Sequence, residues 1–291
     1  MRHTPQALSL KWERCGAPGQ VFVSSSGFSP RDVLQGAVGD CWFLSGLAVI
    51  AEREDLISRL FPIVPKPKHP SEDLFPLGAL EVRFFWMACG PGRTLSKSLS
   101  LCQPPMQVKL THSLSLSLSV SVSHSLSLSA WTSVVVDDTL PVNAKGKLAF
   151  AKPGPKNEVW VPLVEKAYAK AHSSYSAISG GFVSEAMFDL TSLPVEVIEI
   201  SSMTSFDSEL TWARLLSFCS LKFPTACSTQ WDATLKETGL VGCHAYSLLE
   251  VVEISDAKVG KQLQISDFFS KVSPILLFIQ PPAPGGSHDR I

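Results

Sequence analysis

Residues 35 to 44 read Gln-Gly-Ala-Val-Gly-Asp-Cys-Trp-Phe-Leu, a glycine-bearing turn that runs straight into an apolar helical stretch. This junction puts a single cysteine, Cys41, at the head of a helix. There the first free N–H groups and the positive end of the helix dipole both favour negative charge on sulfur. Gln35 can place a side-chain amide beside the Cys41 N–H, and two such donors make an oxyanion hole. Gly36 and Gly39 let the backbone turn tightly and approach a substrate closely. A lone cysteine before an apolar run is more often a small core residue. The glutamine six residues earlier, the framing glycines and the following Trp42 shift the weight to a nucleophile.

The chain has 291 residues, enough for two modest domains or one large one. Its net charge of −1 leaves no electrostatic footprint for nucleic acid or an anionic membrane. The seven cysteines are odd in number and form no C-x-x-C pair, which supports neither a zinc cage nor a disulfide framework. No apolar signal core follows the N-terminus, and the longest late apolar run, Ile275 to Ile279, is too short to span a bilayer. The expectation is a reduced, soluble, cytoplasmic protein without a membrane span.

Along the chain, Val33 to Leu60 reads as turn then helix, with Trp42, Leu44, Leu47, Ala48 and Ala51 at helical spacing. Lys66 to His69, flanked by prolines, is a breaker cluster. Leu80 to Met87 and Thr132 to Val136 read as strands, and Asp137 to Pro141 as a turn. Val159 to Ala171 reads as a helix, with Trp160, Leu163, Val164, Ala167 and Ala171 on one side. From Val195 onward the chain reads as β-rich, with strands at Val195–Ile200, Leu221–Ser228 and His244–Ile254.

Ser113 to Ser129 stands apart, alternating Ser with Leu or Val and broken by His124. As a strand it would be a flat, uncharged, aggregation-prone ribbon. A repeated CT dinucleotide translates as Leu-Ser-Leu-Ser, so the stretch from roughly Pro65 to Ser129 is expected to include translated intron or a lineage-specific insertion.

The blocks resemble the calpains, papain-like intracellular thiol proteases switched on by calcium. Gln35 to Ser45 resembles their active-site motif. Trp131-Thr-Ser-Val-Val-Val-Asp-Asp-Thr-Leu-Pro141 resembles the strand and turn after the catalytic helix. Glu158 to Lys170, His172 to Tyr175 and Ser179 to Gly181 resemble the long helix of the first core domain and its continuation. Gly239 to Ser247 resembles the strand that bears the catalytic histidine. The wording of the blocks is most similar to the small-optic-lobes type of atypical calpain.

The resemblance implies an α+β, papain-like calpain protease core. Its helical first subdomain would span 10–190, with an insertion at 65–130. A truncated β-rich second subdomain would span 191–254, and 255–291 would be a non-family tail. It implies Cys41 as nucleophile, Gln35 as oxyanion-hole donor and His244 as the base paired with the thiolate. It also implies a calcium ion held by Asp32 and Glu165, with carbonyls near Ser25 and Gly27. Several hard oxygens, mixed carboxylate and carbonyl, are what calcium takes. Read alone, Asp32 is a turn residue, Glu165 a solvated helix face and His244 a core histidine. The partners implied are extended segments of protein substrates and calcium, with no nucleic acid.

Three departures bear on activity. No Asn-Pro-Trp-Gly block follows Glu253, so the asparagine that orients the imidazole and the second cleft tryptophan are missing. The Leu/Ser stretch interrupts the core. Cys243 stands beside His244, where the family usually has another residue. As written, the chain is expected to be weakly active at best, with the strands at Leu221–Ser228 and His244–Ile254 left with an unpaired edge. Three readings stay open: a calcium-dependent endopeptidase, a catalytically inactive truncated relative that acts by binding, and an incomplete coding sequence.

Overall fold

The computed structural model describes residues 10–16, 19–65, 75–86, 130–200, 208–229, 240–251 and 275–279. The Lys66 to His69 cluster, the Leu/Ser stretch at Ser113 to Ser129 and most of 255–291 lie outside the described residues.

Helix α1 (Cys41–Ala51) is the hub. Every residue from Trp42 to Ala51 is buried, because the helix is apolar on all sides and has no face to offer water. It lies between α4 (Val183–Thr191) on one side and β6 (Thr225–Thr229) and β7 (Ala245–Ser247) on the other. Gly46 allows the first of these contacts, since a Cβ there would sit 3.2 Å from that of Ala186. A two-residue step leads from α1 into the short helix α2 (Glu54–Ile57).

Helix α3 (Trp160–Ala171) is buried from Trp160 to Ala169. Pro162 fits in its first turn, where its missing N–H leaves no intrahelical bond unmade. Tyr168 joins the two helices through its ring, stacked on Phe43 at 4.0 Å and on Trp86 at 5.8 Å between centroids. Its hydroxyl donates to the Asp189 carboxylate at 2.8 Å.

Around these helices run two antiparallel pairs. β1 (Lys11–Arg14) pairs with β4 (Thr139–Val142), and β2 (Ala79–Trp86) pairs with β3 (Ala130–Asp137) over eight residues, from Ala79 opposite Asp137 to Trp86 opposite Ala130. Only Asp138 separates β3 from β4, and Lys166 holds that corner. Its ammonium donates to the Asp137 carboxylate at 2.8 Å and to the Thr139 carbonyl at 2.6 Å. The expected turn at Asp137 to Pro141 is therefore mostly strand β4. The expected insertion at 65–130 also narrows, because Ala79–Trp86 within it is a core strand.

The second assembly is a four-stranded antiparallel sheet in the order β5-β8-β6-β7, with β5 at Glu196–Ile200 and β8 at Ile275–Ile279. Two expectations need correction here. β8 pairs with both β5 and β6, so part of the presumed tail forms an inner strand, and β6 has partners on both edges. Between β5 and β6 the chain forms helix α5 (Ser208–Ser220), not continuous β-structure. The sequence reading followed the strand candidates and passed over Thr211, Leu215 and Phe218, which recur at steps of four and three.

Candidate active site

Cys41 is the first residue of α1, and it is half-buried. Asp40 occupies the N-cap position without capping, since its side chain makes no bond to the helix N–H groups. Its backbone carbonyl accepts from Phe43 and Leu44, and no described group accepts from the Cys41 N–H. That donor stays available beside the sulfur. Gln35 lies in the preceding loop, and its side-chain amide donates to the Val38 carbonyl at 2.9 Å. One amide hydrogen thus fixes the side chain, and the same amide faces the Asp40 carboxyl. The Trp42 indole N–H donates to the Ile178 carbonyl at 2.9 Å, which anchors the head of α1 on the far wall.

The Asp40 carboxyl turns inward, and neither of its oxygens has a partner in the structure. Its polar neighbours are the Glu165 carboxyl and the Gln35 amide. Glu165 accepts the Ala151 N–H at 2.9 Å and is itself buried. Burial raises both carboxyls above their ordinary range, and for Glu165 the Asp40 charge adds to the rise. Two carboxyls placed together in an apolar surround resist ionising at once, so the pair is expected to retain a proton above the usual carboxylate range.

His244 immediately precedes β7. Its backbone N–H donates to the Thr229 hydroxyl at 3.3 Å, and its carbonyl accepts the Thr229 N–H at 2.9 Å. Ser247, on the same strand, donates to the Ser45 carbonyl of α1 at 3.3 Å. The strand of the imidazole therefore lies against the helix of the thiol. Burial lowers the His244 pKa and favours the neutral ring, and the Tyr246 ring packs on it edge to face at 4.8 Å. Among the described residues no hydrogen bond reaches the ring nitrogens. Neither asparagine of the chain, Asn143 or Asn157, belongs to this strand.

Cys243 has φ +53, in the left-handed region where a side chain is strained and glycine is not. Cys243→Gly is expected to stabilise the chain by about 1 kcal/mol, read from the urea midpoint. An unchanged or lower midpoint would contradict the strain.

The carboxylates expected from the resemblance to hold calcium each have a different acidic neighbour. Glu165 meets Asp40, while Asp32 meets Glu158. Asp32 ends a 3-10 turn (Pro30–Asp32), where its carboxylate accepts from the Ser29 N–H at 3.2 Å and the Trp160 indole at 2.9 Å. Glu158 is brought alongside by a parallel bridge to Val21 and is 1% exposed. Burial raises the Asp32 carboxyl, and the Glu158 charge raises it further against the indole bond. Gly154 lies between the two: a Cβ on it would come 2.6 Å from a Glu158 oxygen and 3.1 Å from Asp32. The turn carrying Ser25 and Gly27 reaches the same place through Ser26, whose hydroxyl accepts from Lys156 Nζ at 2.9 Å. Asp32 and Glu158 thus lie on either side of Gly154, with Glu158 accepting the Lys156 N–H at 2.7 Å. Sequence reasoning missed Glu158, although Asn157-Glu158-Val159-Trp160 is the entrance to α3 and so had to lie near the turn that packs on Trp160.

A thiol at the head of a buried central helix, with an imidazole just before a sheet strand packed on that helix, is the layout of a papain-like core. Comparison with known proteins agrees. The sequence model described as calpain family cysteine protease matches residues 1–89 and 124–271, which leaves 90–123 as the interruption and runs past 254. The calpain-type cysteine protease DEK1 of Zea mays is 32% identical over 245 residues, covering 82% of this chain and 9% of that protein. Calpain-12 of Homo sapiens is 32% identical over 249 residues, 84% of this chain and 27% of that protein. Calpain-14 of Homo sapiens is 29% identical over 224 residues, with 77% and 25% covered. The chain belongs to the calpain family of cysteine proteases. It spans about a tenth to about a quarter of the length of these relatives. No helix among the described residues is long and apolar enough to cross a membrane.

Proposed function

We propose that this chain is a calcium-responsive cysteine endopeptidase core that cleaves extended segments of cytoplasmic proteins. The observation that carries the reading is the Ser247–Ser45 hydrogen bond, which ties the His244 strand to the Cys41 helix. In the reaction the Cys41 thiol gives its proton to the His244 imidazole, and the thiolate adds to the scissile carbonyl. The oxyanion is received by the Cys41 N–H and the Gln35 amide, and the imidazolium then protonates the leaving amine. Water hydrolyses the thioester and restores the thiol. Among the described residues, edge-to-face packing on Tyr246 restrains the imidazole.

Asp32 and Glu158 would hold calcium, which would neutralise two buried carboxylates and so brace the loop that leads into Gln35 and Cys41. Residues 29–35 link the two places without a break.

Competition for a thiol probe tests both parts. Burial raises the Cys15 thiol to about 12 and the Cys227 thiol to about 11, and it raises Cys219 as well. The exposed Cys243 is the chief rival among the described residues, so the Cys243→Gly chain is used. Iodoacetamide is expected to modify Cys41 ahead of every other thiol, faster with calcium, and Glu158→Gln is expected to abolish the calcium effect. Uniform labelling would remove the protease reading and favour a non-catalytic relative. A calcium effect that survives Glu158→Gln would remove the proposed calcium ligands alone.

A further inference from the structure

On the side of α1 away from the His244 strand, three side chains converge where α3 ends. His172 caps α3, and Glu185 and Asp189 lie one turn apart on α4. One ligand atom from each falls within 4.8 Å of the other two. We propose that His172, Glu185 and Asp189 form a divalent transition-metal site of the zinc class, separate from the protease centre and from the Asp32–Glu158 pair.

The histidine carries the argument. Its Nδ1 lies 3.0 Å from the Tyr168 carbonyl, an acceptor only, so Nδ1 bears the proton and Nε2 bears the lone pair. That Nε2 is buried and has no hydrogen-bond partner. A metal-binding histidine is set up in this way: one nitrogen is tied to a backbone carbonyl, which fixes the tautomer and aims the other at the ion. The ring cannot swing away, because it packs on Tyr168 at 4.3 Å and on Trp86 at 5.2 Å. Burial also lowers its pKa and keeps it neutral, as ligation requires.

The carboxylates complete the set. The Tyr168 hydroxyl donates to one Asp189 oxygen at 2.8 Å and leaves the other for the site. Asp189 is buried and Glu185 half-buried, so both carboxyls face the site from the covered side of α4. One imidazole and two carboxylates with an open fourth position suit zinc, whose ligand distances are about 2.0–2.2 Å. The ion would tie the end of α3 to α4, the two helices that back α1.

The test uses the full chain carrying Cys41→Ser, freed of metal and titrated with Zn²⁺ by calorimetry and with Co²⁺ by visible absorption. One equivalent of zinc is expected to bind. At that equivalence point cobalt should show nitrogen–oxygen ligation without sulfur-to-metal charge transfer. His172→Asn is expected to weaken zinc at least about tenfold, the loss that follows even from removing a group that merely orients a ligand. If His172→Asn disturbs the aromatic stack, Glu185→Gln at the less buried carboxyl gives the same reading. Failure to bind zinc, unchanged affinity in the variants, or thiolate bands from cobalt would overturn the proposal. The last outcome would put the ion on cysteines. Zinc binding is read on a chain without Cys41, so the proposal stands or falls apart from the protease reading.

Discussion

Gly36→Ala is expected to cost about 3 kcal/mol or more of folding stability, and the molecules that still fold should have lost most of their Cys41 reactivity. A Cβ at this position would lie 1.6 Å from the Phe150 carbonyl oxygen and 2.1 Å from its carbonyl carbon. The obstacle is backbone, which cannot rotate out of the way as a side chain can. The chain on either side of Gly36 is tied to the same facing segment, through the Leu34–Lys152 bridge and the Ala37 N–H to the Ala149 carbonyl at 3.2 Å. That segment is held in turn by Glu165, which accepts the Ala151 N–H. The new methyl would therefore wedge the Gln35 loop away from α3. A displacement of about 1 Å in a donor costs roughly 100-fold in rate. Urea denaturation followed by thiol labelling reads both effects, and a midpoint unchanged from the parent would show that the loop does not pack as described.

Glu165→Gln is expected to flatten the fall of stability with rising pH. The sign follows from the raised carboxyls. In the unfolded chain Asp40 and Glu165 ionise near their ordinary values of 3.8 and 4.5, while in the folded chain burial holds their proton to higher pH. The folded state thus binds more protons than the unfolded state. Stability from this pair is whole below the unfolded values and is lost as pH climbs toward the folded ones. While one extra proton is held, the loss is about 1.4 kcal/mol per pH unit. Glutamine keeps an oxygen for the Ala151 N–H and offers Asp40 an amide hydrogen, so Asp40 can ionise with a partner. Tyr175, whose buried hydroxyl also lacks a partner, faces the same two carboxyls and titrates far above this window. Between pH 5 and pH 7, the unfolding free energy of the parent should fall more steeply with pH than that of the variant. Asp32, Glu185 and Asp189 are also raised but contribute equally to both proteins and cancel. Parallel pH profiles would show that the pair does not retain the proton.

The protease elements were legible in the sequence because local rules decide them. A glycine turn before an apolar run makes a helix head, and Cys41 starts α1 as the pattern requires. The long helix at Val159 to Ala171 was legible from its spacing and differs by one residue. The pairing of carboxylates was not legible. Glu158 and Glu165 are both acidic and border the same helix, and only the bridge from Val21 to Glu158 decides which meets Asp32. Position β8 was read as tail because five apolar residues in isolation carry no sign of the strands on either side. The metal proposal was invisible for a related reason. His172, Glu185 and Asp189 sit on different helices, and their meeting depends on how α4 folds back onto α3.

The β2–β3 pairing has a consequence for how this protein tolerates change. Trp86 stands opposite Ala130, so the intervening chain leaves and re-enters the core at facing positions. The entropy of closing such a connection grows only with the logarithm of its length, about 0.6 kcal/mol for each doubling. Eight paired positions and the aromatic packing of Phe84 and Trp86 on Tyr168 hold the two ends together whatever lies between them. The family match breaks off inside this connection, at 90–123, and resumes on the other side. Here the fold has a port at which sequence can be gained or shed at little thermodynamic cost. Among relatives, length variation should gather at this port, and a foreign domain grafted there should leave the packing of α1 undisturbed.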